Sequence, residues 1–313
     1  MSVTPAPNVK PVTSEATGPE GGEAQALGGG LTAQLLRVFA ENRLAVVGVA
    51  IIVLAILFCW VGPLIYHTNQ TDTQKALLNS VQNAAPNGAH PLGTDSSGFD
   101  ILGRIMYGGQ ISLEVGFAAA GIATLVGVLV GAVAGFFGSF VDAFLMRIVD
   151  VLLSVPLLYL LIVLAVIFHP SVEILTLVIG FTAWLVPARL VRGETLSLRV
   201  REFVQAVRVM GGGGPRIVLR HIIPNTIGTI IVNATFQVAD AILLLAALGF
   251  IGLGVPSPQT DWGSMLSNGV NYAFDGYWWE IYPAGVAIVL VVVAFNFVGD
   301  ALRDAFEVRL QRR

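Results

Sequence analysis

The sequence predicts an all-α membrane protein with six transmembrane helices, and three observations carry that prediction. The chain is 313 residues long, 55% apolar and only 12% charged, with a mean hydropathy of +0.78. That is the composition of a polytopic membrane protein rather than of a soluble domain. Apolar segments of spanning length recur at about 44–66, 112–137, 151–168, 174–191, 227–251 and 282–298. With six spans, 15 Lys and Arg residues fall on the side of both termini, and only Lys75 and Arg104 on the other. Basic residues stay on the cytoplasmic side, so both termini are expected inside.

Composition also excludes several classes. Cys59 is the single cysteine and lies in an apolar run, so there is no disulfide framework and no cysteine metal site. Neither Lys10 nor Lys75 sits in a phosphate-binding glycine loop, so any ATPase belongs to another subunit. His67, His90, His169 and His221 are scattered over loop ends on both sides, which argues against a shared metal site. Motifs of intramembrane hydrolysis are missing, and the net charge of −3 says nothing of nucleic acid.

In chain order, residues 1–30 are rich in Pro, Gly, Ser, Thr, Ala and Glu and read as a disordered tail without a signal peptide. Residues 31–43 are amphipathic, with Leu31, Leu35, Val38 and Phe39 on one side, and suit the membrane surface. The six-span membrane domain then occupies 44–313. Between the first two spans lies a long polar connection containing HPLGTDSSGFD. In the second span Gly127, Gly131 and Gly135 form a flat face for close helix packing. Arg147 and Asp150 are spaced to pair with each other before the third span. A second long connection, 252–280, lacks Lys and Arg, and its Trp262, Tyr277, Trp278 and Trp279 suit a membrane interface.

The loop at 192–224 follows the fourth span. Seven arginines (Arg189, Arg192, Arg199, Arg201, Arg208, Arg216 and Arg220) lie in or beside it. Ser197 is placed to cap a helix whose apolar residues Val200, Phe203, Val204, Val207 and Met210 recur at helical spacing. Gly211 to Gly214 end it, and Pro215 opens another. The pattern leaves two readings open: a solvated basic loop that fixes topology, or a docking helix for a cytosolic partner.

In the fifth span Asn233, Gln237 and Asp240 recur on one helical face. A carboxylate at mid-membrane costs about 2.5–3.5 kcal/mol, so Asp240 needs a wet cavity or a polar partner. A translocation path and an interhelical contact both satisfy that requirement.

The segment Gln205-Ala206-Val207, then Gly211, then His221-Ile222-Ile223-Pro224, resembles the Glu-Ala-Ala loop of ABC-importer permeases. Gln205 stands for Glu, Val207 for the second Ala, His221 for Ile and Ile223 for Leu, with the spacing kept. HPLGTDSSGFD resembles the HPLGTDxxGRD signature of peptide-importer permeases, with Phe99 where that family usually has Arg. NRLAVVG, LMRIVDVLLSVP, LVRGETLSLR, LGFIGLG, DWGSML and AFNFVGDALRDA extend the resemblance over about 31–310 to the C-type permease of dipeptide and oligopeptide ABC importers.

That resemblance implies the type I importer permease fold in a bacterial inner membrane. It implies a homologous second permease, two ATPase subunits that bind ATP and Mg, and an extracytoplasmic substrate-binding protein. Glu202, Gln205, Ala206, Gly211 and Pro224 would couple to the ATPase, and Gly93, Thr94 and Asp95 would face the binding protein. Asn233, Gln237 and Asp240 would line the path. The family often has Glu at the position of Leu245 here. Importers of nickel chelates and other small solutes share these motifs. An ATP-independent transporter or channel is the alternative class, disfavoured by a single midplane carboxylate and no inverted repeat.

Overall fold

The structure, a computed structural model, describes residues 39 and 41–311. The tail expected at 1–30 lies outside the described residues, as does most of the surface helix expected at 31–43. Helix α1 (Arg43–Ile65) begins where the Asn42 side chain accepts from the backbone of Leu44 and Ala45. It lies on the rim of the bundle, with few buried residues. Gly48 lets it touch the last helix, since a Cβ there would sit 2.7 Å from the Ala294 carbonyl oxygen. A short helix α2 (Thr73–Asn79), capped by Asp72, starts the polar connection.

The centre of the molecule is α3 (Ile101–Phe137), which packs against α1 and six later helices. Its 37 residues make it about 55 Å long, well beyond a bilayer core. The sequence placed this span at 112–137; the helix starts earlier because the Asp100 side chain caps it through the Gly103 N–H at 2.8 Å. The added turns are buried against the preceding loop rather than bare. The glycine face packs on α7 (Leu185–Leu198). A Cβ on Gly127 would lie 2.5 Å from Pro187 Cβ and one on Gly135 2.7 Å from Thr195 Cβ, while one on Gly131 would strike the Ala188 carbonyl.

The third expected span is not one straight helix. It is α4 (Ser139–Ser154) and α5 (Leu157–Phe168), bent by 87°. Pro156 has no N–H and holds Val155 extended, at φ −90° and ψ 127°. The fourth expected span continues past Val191 as α6 (Val172–Ala183) and α7, broken at Trp184. After α10 (Ile227–Phe250), the second connection contains a helix of its own, α11 (Trp262–Val270), before the final α12 (Tyr282–Gln311). Among the described residues five segments are long and apolar enough to cross a membrane, six if the bent pair counts as one.

Two glutamines mend the ladders that prolines break. Pro63 in α1 leaves the Cys59 carbonyl without its usual donor four residues on, and Gln110 Nε2 of α3 supplies one at 2.7 Å. Pro187 does the same to the Ala183 carbonyl, and Gln237 Nε2 of α10 supplies the donor at 2.8 Å. Both repairs answer the demand that backbone groups within a bilayer be satisfied by the protein itself.

Candidate functional site

The arginine-rich end carries a presented helix. Helix α8 (Glu202–Val209) starts later than the sequence suggested, with Arg201 at the cap position and no side-chain cap. Ser197 lies inside the last turn of α7, where its hydroxyl donates to the Gly193 carbonyl at 3.3 Å, so it caps nothing. Gly211 ends α8 at φ +82°, a left-handed conformation that favours glycine, and the Gly212 N–H closes on the Val207 carbonyl at 2.9 Å. Pro215 opens the one-turn α9 (Gly214–Ile217), and Pro224 sits in a tight turn ahead of α10.

Val204 is the anchor of α8, fully buried with Phe136, Val191, Ile217 and Ile222. Glu202 and Ala206 face outward, as do Val209 and Met210. Gln205 is only part-exposed because its amide donates to the Arg199 carbonyl at 3.0 Å. Arg199 in turn donates to the Gly135 carbonyl at 3.0 Å, and Arg208 lies 5.5 Å from the Phe136 ring centroid. The expected Arg147–Asp150 pair does not form: Asp150 pairs with Arg189, and Asp142 accepts from Nε and Nη2 of Arg192. These bonds fasten α4 to α7, a closer match for a carboxylate than the next turn of its own helix.

The polar face of α10 divides. Gln237 is buried by its bond to Ala183, an interhelical contact that makes it part of the α6–α7 break. Asn233 is partly buried, with its Oδ1 unpartnered. Asp240 is exposed on α10. Leu245 is 0% exposed in the core between α3, α5, α6 and α10. Asp240 and Leu245 therefore meet different surroundings on the same helix.

At the far end, HPLGTDSSGFD folds into a compact cap. Gly93 takes φ +78° so that Thr94 pairs with Ala84 and Ile101 bonds back to Gly93. Thr94 is fully buried and its hydroxyl accepts from the Ala84 N–H. Asp95 Oδ1 accepts from Ser97 and Phe99, both at 2.9 Å. Asp100 Oδ2 meets His90 Nδ1 and the Tyr66 hydroxyl, each at 2.9 Å. Burial, with Asp100 beside it, pushes the Tyr66 hydroxyl up to about 12. Phe99 is buried under the Arg104 guanidinium, 4.0 Å from the ring centroid, so the basic group at this place comes from the first turn of α3.

The 252–261 loop is tied around Asp261, which is 0% exposed. Its carboxylate accepts from Val255, Gly263 and Ser264. Burial pushes its carboxyl up, and these bonds oppose the shift. Trp262 is buried rather than interfacial and donates to the Ile105 carbonyl at 3.0 Å. Trp279 is also buried, which leaves Trp278 as the exposed tryptophan of this group. Glu280, 3% exposed, has both carboxylate oxygens without a hydrogen bond. Sequence reasoning missed Arg104, Asp261 and Glu280 as buried charges. The DWGSM segment carried the one available signal, an Asp placed to cap a helix.

Among the described residues no three His, Cys, Asp or Glu side chains gather as a metal site requires. What the geometry provides is a membrane bundle with a rigid surface helix at one end and a closed cap at the other, the layout of a transport subunit. The chain belongs to the family of binding-protein-dependent transport system inner membrane components, whose model matches residues 127–312. The model of the N-terminal transmembrane domain of oligopeptide transport permease C matches residues 30–86. The oligopeptide transport system permease protein OppC of Escherichia coli K12 is 40% identical over 271 residues, covering 87% of this chain and 89% of that protein. OppC of Bacillus subtilis 168 is 39% identical, covering 88% of each chain. The dipeptide transport system permease protein DppC of Alkalihalophilus pseudofirmus is 36% identical, covering 87% and 88%. In fold, a chain of the inward-facing MetNI methionine ABC transporter superposes with a TM-score of 0.51 at 20% identity, covering 63% of this chain and 93% of that one. As a permease of this family the chain works with ATPase and other subunits.

Proposed function

We propose that this chain forms half of the translocation path of an ATP-driven importer of di- and oligopeptides. It pairs with a homologous permease, two ATPase subunits that bind ATP and Mg, and an extracytoplasmic binding protein. The arginine-rich end and both termini face the cytosol. The observation that supports this best is α8, a helix locked by Val204 and Gln205 on one side while Glu202, Ala206, Val209 and Met210 stay open on the other. Such a helix is built to receive a partner and pass its motion to α3 and α7, against which it is fastened. Gly211 and Pro224 hold the turns that set its direction.

The names of the relatives support peptides as the cargo. Asp240 is the path-lining carboxylate, since it alone of the α10 polar group is exposed; Asn233 flanks it, and Gln237 holds the wall behind. Gly93, Thr94 and Asp95 shape the cap that meets the binding protein. The test is reconstitution of the complex in liposomes with labelled peptides in the presence and absence of ATP and binding protein. Uptake that depends on both supports the reading. Uptake without ATP, or uptake of a nickel chelate but of no peptide, overturns it.

A further inference from the structure

The cap and the 252–261 loop are two separately closed bodies. The cap is held by the Asn83–Asp95, Thr94–Ala84 and Asp95–Phe99 backbone bonds, with the Asp95 side chain inside. The loop is held by the Asp261 carboxylate and by the Leu253 N–H on the Leu248 carbonyl at 2.8 Å. One residue of α3 reaches both: Arg104 Nη1 donates to the Pro258 carbonyl at 2.6 Å. The same guanidinium lies 3.4 Å from Asp95 Oδ2 and stacks on Phe99. Arg104 is 7% exposed, so it touches both bodies and little solvent.

What lies behind the loop gives this link a consequence. The loop runs directly into α11, which is wedged against α10: a Cβ on Gly263 would sit 2.5 Å from Ala246 Cα. Trp262 plugs the other side, 2.8 Å from where a Gly109 Cβ would stand. These contacts form a continuous path from the cap through Arg104 to the loop, to α11 and to the helix that bears Asp240. Interior packing transmits displacements because it is dense and resists compression.

We propose that Arg104 is the positioning residue that couples docking at the cap to the α11–α10 wedge, and thereby to stimulated ATP hydrolysis in the complex. The proposal rests on the importer reading, in which a binding protein meets the cap. A buried charge-assisted bond with a stacked planar group suits this role, because lysine cannot hold the carboxylate, the carbonyl and the ring at once.

The experiment uses the full transporter in nanodiscs, measuring ATP hydrolysis with and without peptide-loaded binding protein, and the binding-protein concentration giving half-maximal stimulation. For Arg104→Gln the expected result is basal hydrolysis near the parent's, little change in half-maximal concentration, and stimulation reduced about tenfold, the effect of losing one buried charged bond. Arg104→Lys should recover part of the stimulation, and Phe99→Leu, which keeps all charges, should lose part of it. In a Cys59→Ala background, labelling of Gln259→Cys by a hydrophilic maleimide should change on addition of binding protein, and should not change once Arg104→Gln is present. Full stimulation in Arg104→Gln, or an equal loss of basal and stimulated rates across all three variants, overturns the proposal. Failure of Arg104→Gln to assemble moves the decision to Phe99→Leu, where undiminished stimulation overturns it. A parent complex that no binding protein stimulates would instead sink the importer reading itself.

Discussion

The two ends of this bundle treat charge in opposite ways. At the arginine-rich end the Arg189–Asp150 pair is half exposed, at 50% and 54%, and the Arg192–Asp142 pair partly so, at 33% and 16%. At the capped end three charges are inside: Asp261, Asp100 and Arg104 are each less than a tenth exposed and each is engaged by the backbone or by a partner. An exposed pair contributes little because water and salt screen it. A buried charge that loses its partners is expensive. The capped end therefore sets geometry through polar groups. The arginine-rich end keeps its shape through the apolar seat of Val204, and its ion pairs stay partly exposed to solvent.

Asp261→Ala should break this contrast most strongly. It strips the Val255, Gly263 and Ser264 N–H groups of their acceptor and should cost about 3 kcal/mol or more. Chemical denaturation of the purified complex would read this loss, and a change below about 1 kcal/mol would show that the loop does not depend on Asp261.

Gln237→Leu should come next. It leaves the Ala183 carbonyl without a donor beside Pro187, at a cost of about 1–3 kcal/mol. Gln110→Leu should behave alike at the Cys59 carbonyl, and the pair tests whether both repairs matter equally.

Arg189→Ala, at the exposed end, should shift stability by about 0.5 kcal/mol or less. A loss as large as that of Gln237→Leu in the same denaturation series would erase the distinction between the two ends. The smallest stability change is expected for Ala206→Trp, since Ala206 faces outward. That variant should leave the midpoint near the parent's while reducing co-purification of the ATPase subunits. Unchanged co-purification and unchanged transport would remove α8 from the coupling surface.

What the sequence determined by itself is whatever depends on near neighbours. Apolar runs marked the membrane segments, Gly211 and Pro215 marked the ends of the helices around them, and the Gly127, Gly131 and Gly135 spacing marked a close-packing face before its partner α7 was known. The third segment, expected to cross as one span, instead bends by 87° at Pro156, because its two helices find separate neighbours. Tertiary structure alone decided where polar side chains end. Asp142 and Asp150 chose arginines on α7 over the nearby Arg147. Gln237 turned inward to a carbonyl 54 residues away, and Arg104 reached one 154 residues away. Helical periodicity gives the face a residue stands on, and a face is about 100° wide. Whether Asp240 meets an opening while Gln237 meets a broken helix depends on which helix lies alongside. That is fixed by packing between segments remote in the chain, and no local pattern records it.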